Sequence, residues 1–202
     1  AGEVEPPGVF LNASAVLERQ LAAFTLDCWN ADDATTPSIP DKLSRVFDQL
    51  VPVNPEKFPH NWIRYIEANQ TSLLRDFIEL FEGRFSESTK THLATYLRGG
   101  SHDEESLTYR LLVSLHDEKK QRDSLKDKAN EVKKAYDKLS KAVARDKDHE
   151  KSLNELKSER GALMKLVVEI NKTAVIQFLT DQGFLPNYAF PESPSRLRSV
   201  IW

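Results

Sequence analysis

The sequence predicts an all-α protein, with a compact helical N-terminal half and a long projecting antiparallel coiled-coil hairpin. Three observations lead there. Through residues 1–100, apolar side chains recur at three- and four-residue spacing between Pro- and Gly-bearing breaks. From Ser101 to Arg160 the chain has neither Gly nor Pro, while leucines recur along a seam. Apolar/polar alternation sustained over a strand's length is missing throughout.

Taken in order, Asn12 or Ser14 can cap a first helix by accepting backbone N–H bonds, and Val16, Leu17, Leu21, Phe24 and Cys28 follow at helical spacing. Asp32 to Pro40 is a loop rich in Asp, Thr and Pro. Pro40 suits the first turn of a second helix, because its missing N–H has no partner there in any case. That helix carries Leu43, Val46, Phe47 and Leu50, and Val51 to Pro59, with three prolines, connects it to the next. A third helix from Asn61 presents Trp62, Ile63, Ile66, Leu73, Leu74, Phe77, Ile78 and Phe81 and ends near Gly83. A shorter fourth, with Leu93, Tyr96 and Leu97, stops at Gly99-Gly100.

Ser101-His-Asp-Glu104 matches a capping box and opens the charged stretch. Leu107, Leu111 and Leu115 form one stripe. Leu125, Val132 and Leu139 are spaced by seven, and Leu153, Leu156, Leu163, Val167, Ile170 and Ala174 continue a seam. Glu118/Arg122 and Asp137/Lys141 have the spacing of ion pairs along a helix. One helix from His102 to Thr180 would be roughly 120 Å long and would need a partner chain to cover its seam. A turn at 145–149, where Asp146 places a charge on the seam, instead lets two arms pair within one molecule. The hairpin is the favoured reading and a parallel dimer the competing one. The expected organisation is therefore a helical domain over 1–100, the long helices over 101–182, and an extended segment over 183–202 leading to a domain beyond this chain. The start at Ala1 and the apolar end Ser199-Val-Ile-Trp202 read as those of a piece excised from a longer protein.

Composition narrows the chemistry. The 202 residues are 40% hydrophobic and 29% charged with a net charge of −3, which lacks the basic signature of a nucleic-acid binder. Cys28 is the only cysteine, so an internal disulfide and a cysteine-based zinc site are excluded, in keeping with a reducing, cytoplasmic compartment. No apolar run approaches the roughly 18 residues of a membrane span. The two His-Asp-Glu tripeptides, at His102 and His116, put neighbouring side chains on different helix faces and form no chelate. No phosphate-binding loop, DEAD or DEAH box, or nucleophile elbow is present, so catalytic, metal and cofactor residues are expected to be none. Between His116 and Arg160 there are 14 Lys/Arg against 11 Asp/Glu. Lys119, Lys120, Arg122, Lys126, Lys133 and Lys134 are the candidates for phosphate contact, although interleaved acids largely cancel their field. Trp62, Arg64 and Tyr65 read as core with a snorkelling Arg rather than as a base-stacking platform.

Two segments carry a family resemblance. Gly183-Phe-Leu-Pro-Asn-Tyr-Ala-Phe-Pro191, with Leu197-Arg-Ser-Val200 beyond it, resembles a phrase found downstream of the motor in large superfamily-2 ATP-dependent helicases of the DEAD/DEAH type. There it leads into a domain that often bears four metal-binding cysteines. Gly8-Val-Phe-Leu-Asn-Ala-Ser-Ala-Val-Leu-Glu-Arg-Gln-Leu-Ala-Ala-Phe24 is similar, more weakly, to the stretch after the second motor domain. Gly183, Leu185, Pro186, Asn187, Tyr188, Phe190 and Pro191 carry the motif. The resemblance implies an accessory helical region of an ATP-dependent helicase or translocase, bacterial and linked to DNA repair or phage defence. It implies ATP and Mg²⁺ in the parent motor and none in this region. The partners implied are the rest of the helicase, nucleic acid through it, and a protein at the hairpin tip. It leaves open whether DNA or RNA is handled.

Overall fold

The computed structural model describes residues 7–32, 39–98, 104–142 and 146–187. They are all-α. Seven helices are present among them: α1 (Pro7–Asp32), α2 (Leu43–Phe47), α3 (His60–Leu80), α4 (Glu87–Leu97), α5 (Leu107–Ser140), α6 (Lys147–Lys172) and α7 (Val175–Asp181). No strand forms among the described residues, only an isolated antiparallel bridge between Lys42 and Ala174.

α1 is buried on most sides between Leu21 and Trp29, and α3 and α4 pack on it. Two aromatic clusters close this body. Trp29, Phe58 and Trp62 follow in series with centroids 6.5 and 6.1 Å apart, the first pair tilted and the second stacked. Phe24, Phe77, Phe81 and Phe85 form the other, with centroids 4.5 to 6.3 Å apart. Such pairs each add about 0.5–1.5 kcal/mol beyond their buried area. The Trp62 indole N–H, fully buried, donates to Thr25 Oγ1 (3.3 Å), and that hydroxyl in turn donates to the Ala22 carbonyl (2.8 Å). A buried donor on α3 is thus satisfied by α1.

The core does not stop at residue 100. Leu107, Leu111 and Leu115 of α5 are fully buried in it, as are Val175 and Leu179 of α7 and Phe184 and Leu185 after it. α5 and α6 then run antiparallel against each other. Arg122 meets Asn171 near the base, and Tyr136 lies beside Leu156 and Arg160 farther along. Beyond the base, Ala129, Leu153 and Val167 are the fully buried apolar residues of this pair.

Several boundaries differ from the sequence reading, each for a local reason. α1 begins at Pro7, so neither Asn12 nor Ser14 caps it. α2 begins three residues after Pro40, because Lys42 is extended and bridges Ala174. Ser106, not Ser101, caps α5 by accepting from the Tyr109 N–H (3.2 Å); Gly99, Gly100 and residues 101–103 lie outside the described residues. Asp146, read as a charge on the seam, is the N-cap of α6 and accepts from the His149 N–H at 2.8 Å. A side-chain cap separates the two arms where no Gly or Pro is available.

The helix expected to reach Thr180 breaks at Thr173-Ala174, both extended. Leu43 N–H donates to the Thr173 carbonyl and Val175 N–H to the Asp41 carbonyl, each at 3.0 Å. These two bonds satisfy backbone groups freed by the break and tie the return of the arm to the start of α2. α7 ends as expected at Gly183, whose φ is +82°. Gly183 N–H donates to Thr180 (3.0 Å) and Phe184 N–H to Leu179 (2.8 Å), the paired bonds of a Schellman cap.

Two glycines make opposite predictions. A Cβ at Gly183 would be strained by the positive φ and would lie 3.4 Å from Arg19 Nη2. Gly183→Ala should therefore lower unfolding stability by about 1 kcal/mol. Gly161 sits inside α6, where a Cβ would meet nothing within 4 Å. Gly161→Ala should raise stability by about 0.5–1 kcal/mol. Urea melts of the two variants check both signs.

Candidate functional surfaces

Ionisable side chains gather in two places among the described residues. The first lies between α1, α4 and α5. The Glu18 carboxylate, 17% exposed, is shared between His92 Nε2 (2.9 Å) and Arg110 Nη1 (3.4 Å), and the Arg110 guanidinium lies 5.6 Å from the Tyr96 ring centroid. Tyr96 Oη is buried without a hydrogen-bond partner. Burial, and then the Glu18 charge, push its pKa well above the ordinary tyrosine value. One carboxylate thus joins three helices.

The second is the base of the long pair. Arg122 is 9% exposed. Its Nε and Nη2 donate to Asp123 Oδ1 (3.1 and 2.9 Å), its Nη1 donates to Asn171 Oδ1 of α6 (3.2 Å), and its guanidinium lies 4.9 Å from the Phe47 ring centroid in α2. Lys119 donates to the other Asp123 oxygen at 2.8 Å. The hydrogen bond from Lys119, supported by those from Arg122, holds the Asp123 carboxyl below its ordinary value against the opposing effect of burial. Arg122 therefore pairs with Asp123, not with Glu118 one turn back, and burial raises the pKa of Glu118.

The six basic candidates are thus not one surface. Arg122 and Lys119 are engaged at the base, whereas Lys120, Lys126, Lys133 and Lys134 are exposed. Lys133 lines a groove of 430 Å³ between the two long helices, together with Tyr136, Leu156 and Arg160. A further concavity, of 890 Å³, lies along the first turns of α6 and is lined by charges of both signs, including Asp146, Lys147, Glu150 and Lys151.

Trp62 is fully buried, Arg64 pairs with Glu56 (3.1 Å) and Tyr65 Oη donates to Asp32 (2.7 Å), so the three share no exposed stacking face. Of the motif residues, Gly183 forms the cap, Leu185 and Pro186 are buried, and Asn187 is exposed; Tyr188, Phe190 and Pro191 lie outside the described residues, as does His102. Among the described residues no group of three His, Cys, Asp or Glu side chains could hold a metal ion, and no helix is long and apolar enough to cross a membrane.

Like His92, His60 was not singled out in the sequence. His60 Nε2, at the start of α3, is buried without a partner. Burial, and then the nearby His116, push its pKa below the ordinary 6.5, while a hydrogen bond with the Leu50 backbone pulls it back. Periodicity alone could not reveal it, because the residue lies at the end of the Pro-rich connector.

Two measurements follow from these sites. Arg122→Ala should lower stability by about 2–4 kcal/mol, and Arg122→Met by less, because a long stem can still pack on Phe47. Equal losses in urea melts would assign the whole effect to charge. Because the folded state disfavours the His60 imidazolium, the unfolded chain binds more protons as the pH falls. Stability should be fully present above pH 6.5 and decline as the pH drops from there toward the lowered folded value. His60→Gln should flatten that decline in melts recorded across this range.

No protein-family model matches the chain, and no curated protein and no solved structure matches it either.

Proposed function

We propose that this chain is a non-catalytic interaction module whose working part is the α5–α6 pair, held out as a projecting arm by the α1–α4 body. One observation carries the reading. The seam of the pair is closed within one chain and locked at its base by Arg122, so its outer surfaces are left for other molecules. The charged clusters described above serve as crosslinks between helices, which favours a mount over a reaction centre.

We further propose that the module serves an ATP-dependent nucleic-acid helicase or translocase, guiding a strand, bracing the motor or docking a partner. Support for this step is the Gly183-to-Pro191 phrase, with the weaker likeness of Gly8 to Phe24 beside it. ATP and Mg²⁺ would then belong to the motor elsewhere in the parent protein. A stand-alone, self-associating coiled-coil protein is the second reading. The exposure of Leu166 (46%) and Val168 (42%) on α6 favours it.

Light scattering on the purified chain separates the two readings. The interaction-module reading expects a monomer at micromolar concentration, whereas a dimer abolished by deleting 125–156 supports self-association. For the helicase step, the full open reading frame should encode phosphate-binding motor motifs upstream and a cysteine-bearing domain downstream. A genuine start and stop at these ends without a motor would sink that step and leave the module reading standing.

A further inference from the structure

Beside its buried seam, the α6 helix carries a second line of residues with an apolar middle, Met164 and Val168. Leu153, Leu156, Leu163, Val167 and Ile170 follow the seam spacing toward α5, and Leu153 and Val167 are buried there. A second stripe, Lys157, Gly161, Met164, Val168 and Lys172, also recurs at three- and four-residue spacing. It rises over roughly 23 Å, about four turns. Two hollows lie along it and meet at Gly161 and Met164, one of 430 Å³ and one of 640 Å³.

Tyr136, Leu156 and Met164 give the first hollow apolar walls, and Lys133, Lys157 and Arg160 stand around it. Val168 continues the apolar surface into the second, flanked by Lys165 and Lys172. Asp137 in the first and Glu169 in the second are the opposing acids, so cations outnumber anions in each; a third hollow that Met164 shares with α5 adds Lys126 against Asp127 and Asp123, the latter already paired with Lys119 and Arg122. None of the five cations around the first two hollows lies within 4.0 Å of an acid among the described ion pairs.

Gly161 adds an independent observation. It weakens a helix interior in which no neighbouring atom requires glycine, since a Cβ there would meet open space. What a missing Cβ does at such a place is let another backbone approach closely.

We propose that this stripe docks an acidic amphipathic helix of a partner protein, laid along α6 with aliphatic anchors over Gly161, Met164 and Val168 and carboxylates toward the flanking Lys and Arg. The apolar floor favours a peptide over nucleic acid, because a phosphate backbone gains nothing from burying Met164 and Val168. The inference rests on the interaction-module reading and not on the helicase step.

The test uses the whole chain and a labelled helical peptide of about 16 residues, with Leu along one face and Glu on both sides of it. A second peptide carries Lys in place of Glu, and a single-stranded oligonucleotide forms the third arm. Fluorescence anisotropy should show binding of the acidic peptide, weakened by salt and at least about tenfold tighter than the basic one. Met164→Glu should weaken it by about tenfold or more. Gly161→Leu should do the same without lowering the midpoint of thermal unfolding. Equal binding of both peptides, or affinities unmoved by these variants, would overturn the proposal. So would an oligonucleotide that displaces the acidic peptide and binds more tightly than it, which would make the stripe a nucleic-acid site. Light scattering on the same samples reports self-association separately, so a dimer would count against the module reading while the peptide comparison stays readable.

Discussion

Arg122 is the constraint on which the arrangement turns. A guanidinium carries five donors and cannot shed its charge, so placing it at 9% exposure demands partners. Those partners come from three elements at once: Phe47 from α2, Asp123 from α5 itself and Asn171 from α6. Moving Asp123 away would strand a buried charge at a cost of several kcal/mol, whereas moving Phe47 or Asn171 would leave that pair and lose the tie to α2 or to α6. The backbone bonds between 41–43 and 173–175 act in the same place, so the return of the arm is held by main chain as well as by side chain. Together they set where α5 leaves the core and where α6 comes back to it.

Past that base the pair has modest means. Ala129 and Leu153 are small or isolated contributions to burial, and most neighbouring positions are charged and exposed. At about 25 cal/mol per Å² of apolar surface, a seam of this kind gives far less than the aromatic clusters around Trp62 and Phe77. Surface ion pairs along such helices add at most about 1 kcal/mol each. The arm's order is therefore inherited from its base. Such a pair tolerates charge variation along its outside without losing its fold.

Much of this was legible in the sequence because helical periodicity is a local property. The alternation of apolar runs with Pro-bearing breaks marked α1 to α4, and the long stretch free of Gly and Pro marked α5 and α6. Asp146 was noticed as an anomaly on the seam, although its role as a cap depends on a backbone turn that no pattern states. Arg122 was read as a surface cation for a similar reason. A basic residue among charged neighbours is exposed on average, and only the register Arg122, Leu125, Ala129, Val132 places it on the buried side. The break at Thr173-Ala174 was illegible because neither residue is a helix breaker; the bonds that stabilise it come from Asp41 and Leu43, distant in sequence. Of the cations around the α6 stripe only Lys133 was among the sequence candidates, and the hollow beside it required knowing which face of α6 turns to α5.

The two faces of α6 bear on the choice between a closed scaffold and a docking element. A helix whose only task was to cover α5 would gain by having polar residues everywhere else, since exposed Val168 contributes nothing to the monomer. It would also gain by replacing Gly161, whose substitution meets no obstacle. Both features run against the stability of the isolated chain and lie along the same stretch of helix as Met164. One source of compensation accounts for them together, a partner that buries the apolar atoms and needs the backbone of α6 to be approachable. Self-association through the same stripe would bring Lys157, Arg160, Lys165 and Lys172 of one copy toward those of another. That repulsion disfavours a second copy as the occupant and favours a partner whose charge is opposite.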